Sequence, residues 1–220
     1  MSAASGSLSV LKLGGSLLCL PDVGDRIVSF VEQNQIVNPV VVVGGGNAAD
    51  LVRVWAERFE LSDAAGHDLA LQAMTLNAQL LAHLNVKFTL ITAPPVGDVT
   101  CGQQRIAILK CHSAADRLET RLSQEQHIPK SWDVTSDSIA AWFATCWKAE
   151  RLYLLKSADM PPELLAAHAN SDSLPQPRAD IVYRLTQRGF VDRAFADFSA
   201  TIPSIVWCNM RQGDQGLRTF

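Results

Sequence analysis

Short apolar runs alternate with segments of helical periodicity along most of this chain. The apolar runs predict strands at residues 10–13, 40–43, 88–91, 106–109, 151–155 and 204–208. Helical spacing predicts helices at residues 48–59, 62–84 and 114–126, and a further helix from Thr135 or Ser136 to Trp147. A turn is expected at 128–131, and the proline-rich residues 160–180 are expected to form a loop around one short helix. This alternation predicts an α/β fold with a mainly parallel sheet covered by helices on both faces.

The long helix predicted at residues 62–84 is apolar on two sides. One side carries Leu71, Met74, Ala78 and Leu81, and another carries Ala70, Ala73, Leu80 and Leu84. A helix of this kind needs two cores, or one core and a partner subunit. We therefore expect a homodimer or a higher homo-oligomer.

The composition of the chain mainly excludes classes of partner and location. The chain has 220 residues, 48% of them apolar, which suits a single α/β domain over residues 1–220. Its net charge of −3 gives no basic surplus for binding nucleic acid. No apolar run is long enough to span a membrane, and residues 1–7 lack the features of a secretory signal. We expect no nucleic-acid or membrane partner and a cytoplasmic location.

Cysteine and histidine usage gives no sign of a metal centre. The five cysteines are scattered without a C-x-x-C pair, which favours reduced thiols, and the five histidines have no ligand-like spacing. We expect no metal site formed by protein ligands alone.

The most informative feature lies at the end of the first predicted strand, where Lys12 and Leu13 precede Gly14, Gly15 and Ser16. A lysine within an apolar strand is costly to bury without an anionic partner. The two glycines allow a ligand to approach the backbone amides closely. A cation beside bare amides suits a phosphate group. The alternative is a lysine that extends to solvent before an ordinary glycine turn.

A second glycine segment follows the apolar run at 40–43 and precedes a predicted helix. Gly44, Gly45, Gly46 and Asn47 therefore lie at a helix N-terminus, where unpaired amides and the helix dipole favour anions. The alternative is a tight strand-to-helix turn that needs glycine only for its geometry.

The sequence supports neither of two common nucleotide-binding motifs, the Rossmann motif and the Walker A motif. The segment at 44–49 formally satisfies G-x-G-x-x-A, but a Rossmann site also needs a second strand ending in an acidic residue about 20 positions on. Here that distance falls at residues 62–67, within helical sequence. A Walker A motif does not occur in the chain.

Two further charged residues lie where ligands bind α/β proteins. Asp137 falls in the first turn of a predicted helix, and Lys156 follows a predicted strand. Each has an ordinary alternative, since an aspartate in a first turn favours the helix dipole and a lysine after a strand is usually solvated. Ligands nevertheless bind at the carboxyl ends of parallel strands, so Lys12, the second glycine segment and Lys156 are expected to converge. Such a cluster would suit phosphoryl transfer, with an aspartate holding two lysines in place and protonated.

Four segments together resemble the amino acid kinase superfamily, which includes acetylglutamate, aspartate, uridylate and isopentenyl phosphate kinases. They are K-L-G-G-S at 12–16, V-V-G-G-G at 42–46, T-S-D-S-I-A-A at 135–141 and L-Y-L-L-K-S-A-D at 152–159, in the family's order. The resemblance implies a three-layer αβα sandwich, ATP with Mg²⁺, and direct transfer of the γ-phosphoryl group to a small-molecule acceptor.

The resemblance also implies roles for individual residues. Lys12, Asp137 and Lys156 would be catalytic, with Lys12 stabilising the transferring phosphoryl group and Asp137 organising the lysines. The implied nucleotide- and phosphate-binding residues are Gly14, Gly15, Ser16, Gly45, Lys156, Ser157 and Asp159. The implied acceptor-binding residues are Gly44, Gly46, Asn47, Arg53, His67, Thr135 and Ser136. For His67 the alternative is a polar residue on a helix flank.

One family element is missing. Many members carry a late G-G-M-x-x-K segment whose lysine contacts the phosphates, and none follows Asp180 here. Our hypothesis is that Lys156 supplies this charge from another direction. The alternative function is a nucleotide-binding or storage protein on the same fold that transfers no phosphate, although the retained Lys12 and Asp137 argue against it.

Residues 129–137 and 189–192 resemble a compact branch of the family. This branch includes the kinase that acts on aminomethylfuran phosphate in methanofuran synthesis. The resemblance implies a phosphate acceptor and a diphosphate product.

Overall fold

The computed structural model describes residues 7–95, 105–162, 164, 178–211 and 217–220. The strands are β1 (Ser9–Leu13), β2 (Pro39–Val43), β3 (Phe88–Ile91), β4 (Ile106–Leu109), β5 (Arg151–Lys156), β6 (Ser204–Asn209) and β7 (Arg218–Thr219). The α-helices are α1 (Val23–Gln33), α2 (Gly46–Arg58), α3 (Asp63–His83), α4 (Cys111–Glu119), α5 (Ser136–Cys146), α6 (Arg178–Gln187) and α7 (Phe195–Ser199). Two 3-10 helices span Gly15–Cys19 and Gln124–Gln126.

The seven strands form one sheet in the order β3-β4-β2-β1-β5-β6-β7. Every pairing is parallel except that of β6 with β7. In register, Leu13 of the central strand β1 lies beside Val43 of β2 and Leu155 of β5. The carboxyl ends of these strands therefore meet at one edge of the sheet, where both glycine segments and Lys156, the last residue of β5, lie.

Helices cover both faces of the sheet, which confirms the predicted α/β sandwich. Strand residues alternate between two cores, so that Val10 packs on one face and Leu11 on the other. The first core contains residues of α4, α5, α6 and α7, and the second contains residues of α1. The central β2 run is buried on both faces, as its β-branched sequence indicates.

Helix α3 contributes to both cores along a single face. Leu71 and Met74 belong to the first core, whereas Ala78 and Leu81 belong to the second. All four residues belong to one of the two predicted apolar sides, so the choice between a second core and a partner subunit for the other side stays open. Its other predicted apolar side is only partly covered, because Leu80 remains exposed.

The helix predicted at 114–126 was placed wrongly. Helix α4 begins at Cys111 and ends at Glu119, and it packs Cys111 and Ala114 into the first core. Beyond it, Ser123 and Gln126 form a capping box that begins a separate 3-10 helix. Most of the predicted loop at 160–180 lies outside the described residues, as does Cys101.

In the described part of the chain, no helix is both long enough and apolar enough to cross a membrane.

Candidate active site

The two glycine segments pack backbone against backbone. A Cβ on Gly15 would lie 2.3 Å from the amide nitrogen of Gly46, so only glycine fits at position 15 without moving the chain. Gly46 has a φ of +48°, a conformation that glycine adopts without strain. A Cβ on Gly44 would lie 3.0 Å from Ser136 Oγ, which shows that the start of α5 also reaches this point.

The glycine amides differ in what they already bind. Gly14 N–H donates to the carbonyl of Leu155 (2.9 Å), and Gly44 N–H donates to that of Leu13 (2.8 Å). Gly14 is therefore engaged within the sheet, although the family resemblance implies a phosphate contact through its amide. Gly15 begins a 3-10 helix and Gly46 begins α2, and the first amides of a helix have no partner inside it.

Asn77 of α3 fixes the second glycine segment, and sequence reasoning missed it. Its side-chain amide donates to the carbonyls of Gly44 (2.8 Å) and Gly45 (2.7 Å). Asn77 is buried beside apolar residues. A polar residue on the apolar face of a predicted helix is the signal that would have identified it.

Asp137 lies between the two lysines. Lys12 Nζ is 2.9 Å from Asp137 Oδ1, and Lys156 Nζ is 2.7 Å from Asp137 Oδ2. Lys12 is 4% exposed and Asp137 is 6% exposed, so the cluster is almost closed to bulk water. The lysines come from adjacent parallel strands and the aspartate from the first turn of α5.

Burial and charge act in opposition on this cluster. Burial disfavours the carboxylate of Asp137, but attraction to Lys12 and Lys156 outweighs it and holds the pKa of Asp137 below its usual value. Burial, followed by repulsion from Lys12, lowers the pKa of Lys156 to about 8, although Asp137 acts in the opposite direction. Two cations thus share one buried anion, and the cluster has a net positive charge suited to a phosphate.

A late segment outside the predicted site supports this cluster. The carbonyl of Phe190 accepts a hydrogen bond from Lys156 Nζ (2.7 Å). Asp192 accepts hydrogen bonds from Thr135 and Ser138, on either side of Asp137. Sequence reasoning assigned neither residue to the site.

A cavity of about 130 Å³ lies beside the second glycine segment. Six of the predicted site residues line it: Gly45, Gly46, Arg53, His67, Thr135 and Ser136. Trp132, which sequence reasoning did not select, lies there as well, with the Arg53 guanidinium 5.6 Å from its ring centre. Gly66 allows this packing, because a Cβ there would lie 2.6 Å from the Trp132 ring.

His67 presents an unsatisfied nitrogen at this cavity. The side chain is 4% exposed, and its Nε2 atom has no hydrogen-bond partner. Burial lowers the pKa of His67, which favours the neutral imidazole, while a hydrogen bond to the backbone of Ser131 acts in the opposite direction. A buried ring nitrogen of this kind can bind a polar group that enters the cavity.

The remaining predicted residues lie around these groups. Ser16 Oγ donates to Ser157 Oγ (3.1 Å), which joins the loops after β1 and β5. Asp159 is exposed and accepts a hydrogen bond from Asn209 (3.0 Å). Asn47 lies in the first turn of α2, but it is exposed and is not among the residues that line the cavity.

A family model described as the amino acid kinase family matches residues 7–160. The chain belongs to this family. The match includes both glycine segments, Asp137 and Lys156, whereas the late segment with Asp192 lies beyond it.

Solved structures of kinases share the fold. The UMP kinase from Bacillus anthracis aligns with a TM-score of 0.58 at 13% identity, covering 97% of this chain and 98% of that one. The uridylate kinase from Archaeoglobus fulgidus aligns with a TM-score of 0.55 at 17% identity, covering 91% and 89%. The aspartate kinase from Synechocystis aligns with a TM-score of 0.55 at 15% identity, covering 91% of this chain but 38% of its own. At these identities the likeness concerns the fold alone. No curated protein sequence matches the chain.

Proposed function

We propose that this chain is an ATP-dependent kinase that transfers the γ-phosphoryl group to a small anionic acceptor. The observation that carries the proposal is the buried Lys12–Asp137–Lys156 cluster at the carboxyl edge of the sheet. Membership of the amino acid kinase family supports it.

The cluster is suited to electrostatic catalysis. Phosphoryl transfer spreads negative charge over the phosphoryl oxygens, and positioned cations and amides stabilise that charge. Asp137 holds the two ammonium groups in fixed positions, so they need no reorganisation during the reaction. The two lysines bind and orient charge, and neither is required to move a proton.

The backbone around the cluster fits the phosphates of a nucleotide. The backbone contact between Gly15 and Gly46 brings together the first amides of the two helices that begin there, and these amides form an anion cradle. When bound, ATP with Mg²⁺ would supply the phosphoryl group and neutralise part of its charge. Among the described residues, no three His, Cys, Asp or Glu side chains are grouped as metal ligands.

We propose that the cavity beside α2 binds the acceptor. Arg53 lines the cavity beside its ion-pair partner Asp50 (2.6 Å), and the start of α2 supplies amides. This favours an acceptor with a carboxylate or phosphate group, which would compete with Asp50 for the Arg53 guanidinium. His67 offers Nε2 to a polar group of the acceptor, and the Trp132 ring suits a small planar body. Together with the resemblance of residues 129–137 and 189–192, this makes aminomethylfuran phosphate our first candidate.

A non-catalytic nucleotide-binding or storage protein is the second candidate. The missing late G-G-M-x-x-K segment favours it. Both candidates bind nucleotide, but only the kinase forms a phosphorylated product.

Calorimetric titration with a non-hydrolysable ATP analogue and Mg²⁺ tests the nucleotide site. We expect micromolar binding by wild type and weaker binding by Lys12→Met, which keeps the aliphatic stem but loses the charge. The matched control is Lys87→Met, because Lys87 is an exposed lysine paired with Glu32. Equal binding by all three proteins would contradict the assignment of Lys12.

A further inference from the structure

A second carboxylate holds the start of α5 from a distant part of the chain. Asp192 Oδ2 accepts hydrogen bonds from Thr135 N (3.0 Å), Thr135 Oγ1 (2.7 Å) and Ser138 N (3.0 Å), and Oδ1 accepts one from Ser138 Oγ. Thr135 is the N-cap of α5 but makes no capping bond with its own side chain. Asp192 therefore takes the place of a local cap.

These contacts determine the direction of Asp137. Asp137 lies in the same helical turn as Thr135 and Ser138, between the two residues that Asp192 fixes. A rotation of this turn would move the carboxylate away from Lys12 or Lys156. The hydrogen bonds that Thr135 and Ser138 donate to Asp192 oppose that rotation.

The segment that carries Asp192 also touches Lys156. Its Phe190 carbonyl accepts from Lys156 Nζ (2.7 Å). The Phe190 ring packs against Trp207 at a centroid distance of 5.9 Å, and Lys156 Nζ lies 5.5 Å from the centre of the Trp207 ring. One short segment thus contacts Lys156 directly and holds Thr135 and Ser138, which lie on either side of Asp137.

The negative charge of Asp192 also acts on the Lys156 ammonium. The groups whose charge acts on Lys156 are Lys12, Asp137 and Asp192, carried by β1, α5 and the segment before α7. Lys12 repels the Lys156 ammonium, whereas Asp137 and Asp192 attract it. Asp192 thus adds a second anion near a pair of cations that share Asp137.

We propose that Asp192 is a positioning residue that orients Asp137 through Thr135 and Ser138, and that its segment couples it to the Lys156 ammonium through the Phe190 carbonyl. The catalytic meaning of this role rests on the proposed kinase function. The coupling of Asp192 to Lys156 does not depend on that function, because it can be measured in the protein without any turnover of substrate.

Asp192→Asn is the most informative variant. The side-chain oxygen of the asparagine can accept the three hydrogen bonds now made to Oδ2, and its NH2 group can donate to Ser138 Oγ. The variant therefore removes the charge and keeps the shape of the side chain. The matched control is Asp197→Asn, which removes an exposed carboxylate in the adjacent helix α7. Asp192→Ala, which loses all four bonds, provides a stronger perturbation if it folds.

The first readout is an NMR titration of the lysine side chains from neutral to alkaline pH, with the Lys156 signal assigned by its loss in Lys156→Arg. We expect the Lys156 midpoint to move to lower pH in Asp192→Asn and to stay unchanged in Asp197→Asn. An unchanged midpoint in Asp192→Asn would overturn the charge role. A lower melting temperature with no change in midpoint would mean that Asp192 is only a helix cap.

The second readout is the pH dependence of kcat. We expect the alkaline decline of kcat to begin at lower pH in Asp192→Asn, with activity recovered as the pH is lowered and with the KM for ATP little changed. A kcat profile of Asp192→Asn equal to that of wild type would overturn the charge role, and an unchanged kcat in folded Asp192→Ala would overturn the positioning role. If wild type itself transfers no phosphate, the kinase proposal fails, and the NMR titration still decides the coupling.

Discussion

Asp137 is the residue on which the arrangement of the site depends most. Its carboxylate is the shared partner of Lys12 and Lys156, and all three groups are largely withdrawn from water. In Asp137→Asn the two ammonium groups would repel each other without an intervening charge. We expect kcat to fall about 100-fold or more and the free energy of unfolding to fall by about 3–5 kcal/mol.

Steady-state kinetics and urea unfolding check both effects. The control is Asp133→Asn, because Asp133 is exposed and pairs with the exposed Arg193 in an interaction worth little to stability. Full turnover by Asp137→Asn would contradict its placement at the centre of the site.

Lys156 gives the site a pH dependence. Its pKa is lowered to about 8, so we expect kcat to decline as the pH rises through that value and the ammonium charge is lost. An unfolded lysine titrates near 10.5, so between these two values the unfolded chain binds more protons. The contribution of Lys156 to the free energy of unfolding should therefore rise across this interval, while activity falls.

Measurements of kcat and of urea unfolding over a series of pH values test whether activity falls while stability rises. Lys156→Met lacks the titrating group and should lose the rise in stability. A decline in wild-type kcat only near the pH where ordinary lysines titrate would contradict the lowered pKa.

At the scale of elements, the site depends on the close contact between the two glycine segments. In Gly15→Ala the Cβ would lie 2.3 Å from the Gly46 amide nitrogen, so the segments must separate. We expect a loss of about 1–3 kcal/mol in the free energy of unfolding and weaker binding of the ATP analogue. Gly14→Ala is the neighbouring control, because its Cβ would lie 3.3 Å from the Leu155 carbonyl and needs only a small adjustment. The measurements are thermal unfolding and calorimetry of ATP-analogue binding. Equal effects of Gly15→Ala and Gly14→Ala would show that the contact between the two glycine segments is unimportant.

Apolar runs and helical spacing predicted the strands and helices next to the glycine segments. The N-cap contact of α5 was not predicted, because it depends on a residue far away in the sequence. The N-cap at Thr135 was one of two predicted positions, and the structure selects it. Its capping group comes from Asp192, 57 residues away, which no local pattern reveals. Helix α1 was overlooked although Val23, Ile27 and Phe30 repeat at helical spacing. Strand β7 has two residues, too few for a periodic signal.

For the whole molecule, the parallel sheet could be predicted because apolar runs and helical segments alternate. Its strand order could not, because the order depends on contacts between residues far apart in sequence. The convergence of Lys12 and Lys156 followed from a general rule for parallel sheets, whereas Asn77 and Trp132 depend on how helices pack in this particular chain. The single-domain, cytoplasmic and oligomeric expectations remain predictions.

Helix α3 makes the oligomeric prediction testable. Leu76, Leu80 and Leu84 form an exposed stripe at intervals of one helical turn. We expect light scattering to show a dimer or larger species for wild type, and a smaller species for Leu80→Asp because a charge would then be buried in the interface. Val37→Asp, at an exposed position before β2, is the control. A monomeric wild type would contradict this prediction.

Phosphoryl transfer itself is the central claim, and phosphorus NMR of a mixture of protein, MgATP and aminomethylfuran phosphate tests it most directly. We predict the appearance of ADP together with a new diphosphate signal, and a much slower appearance of both signals with Asp137→Asn. Other anionic acceptors, carboxylates included, would follow if this one gave no product. Tight nucleotide binding without a phosphorylated product from any of them would contradict the kinase account and favour a nucleotide-binding protein.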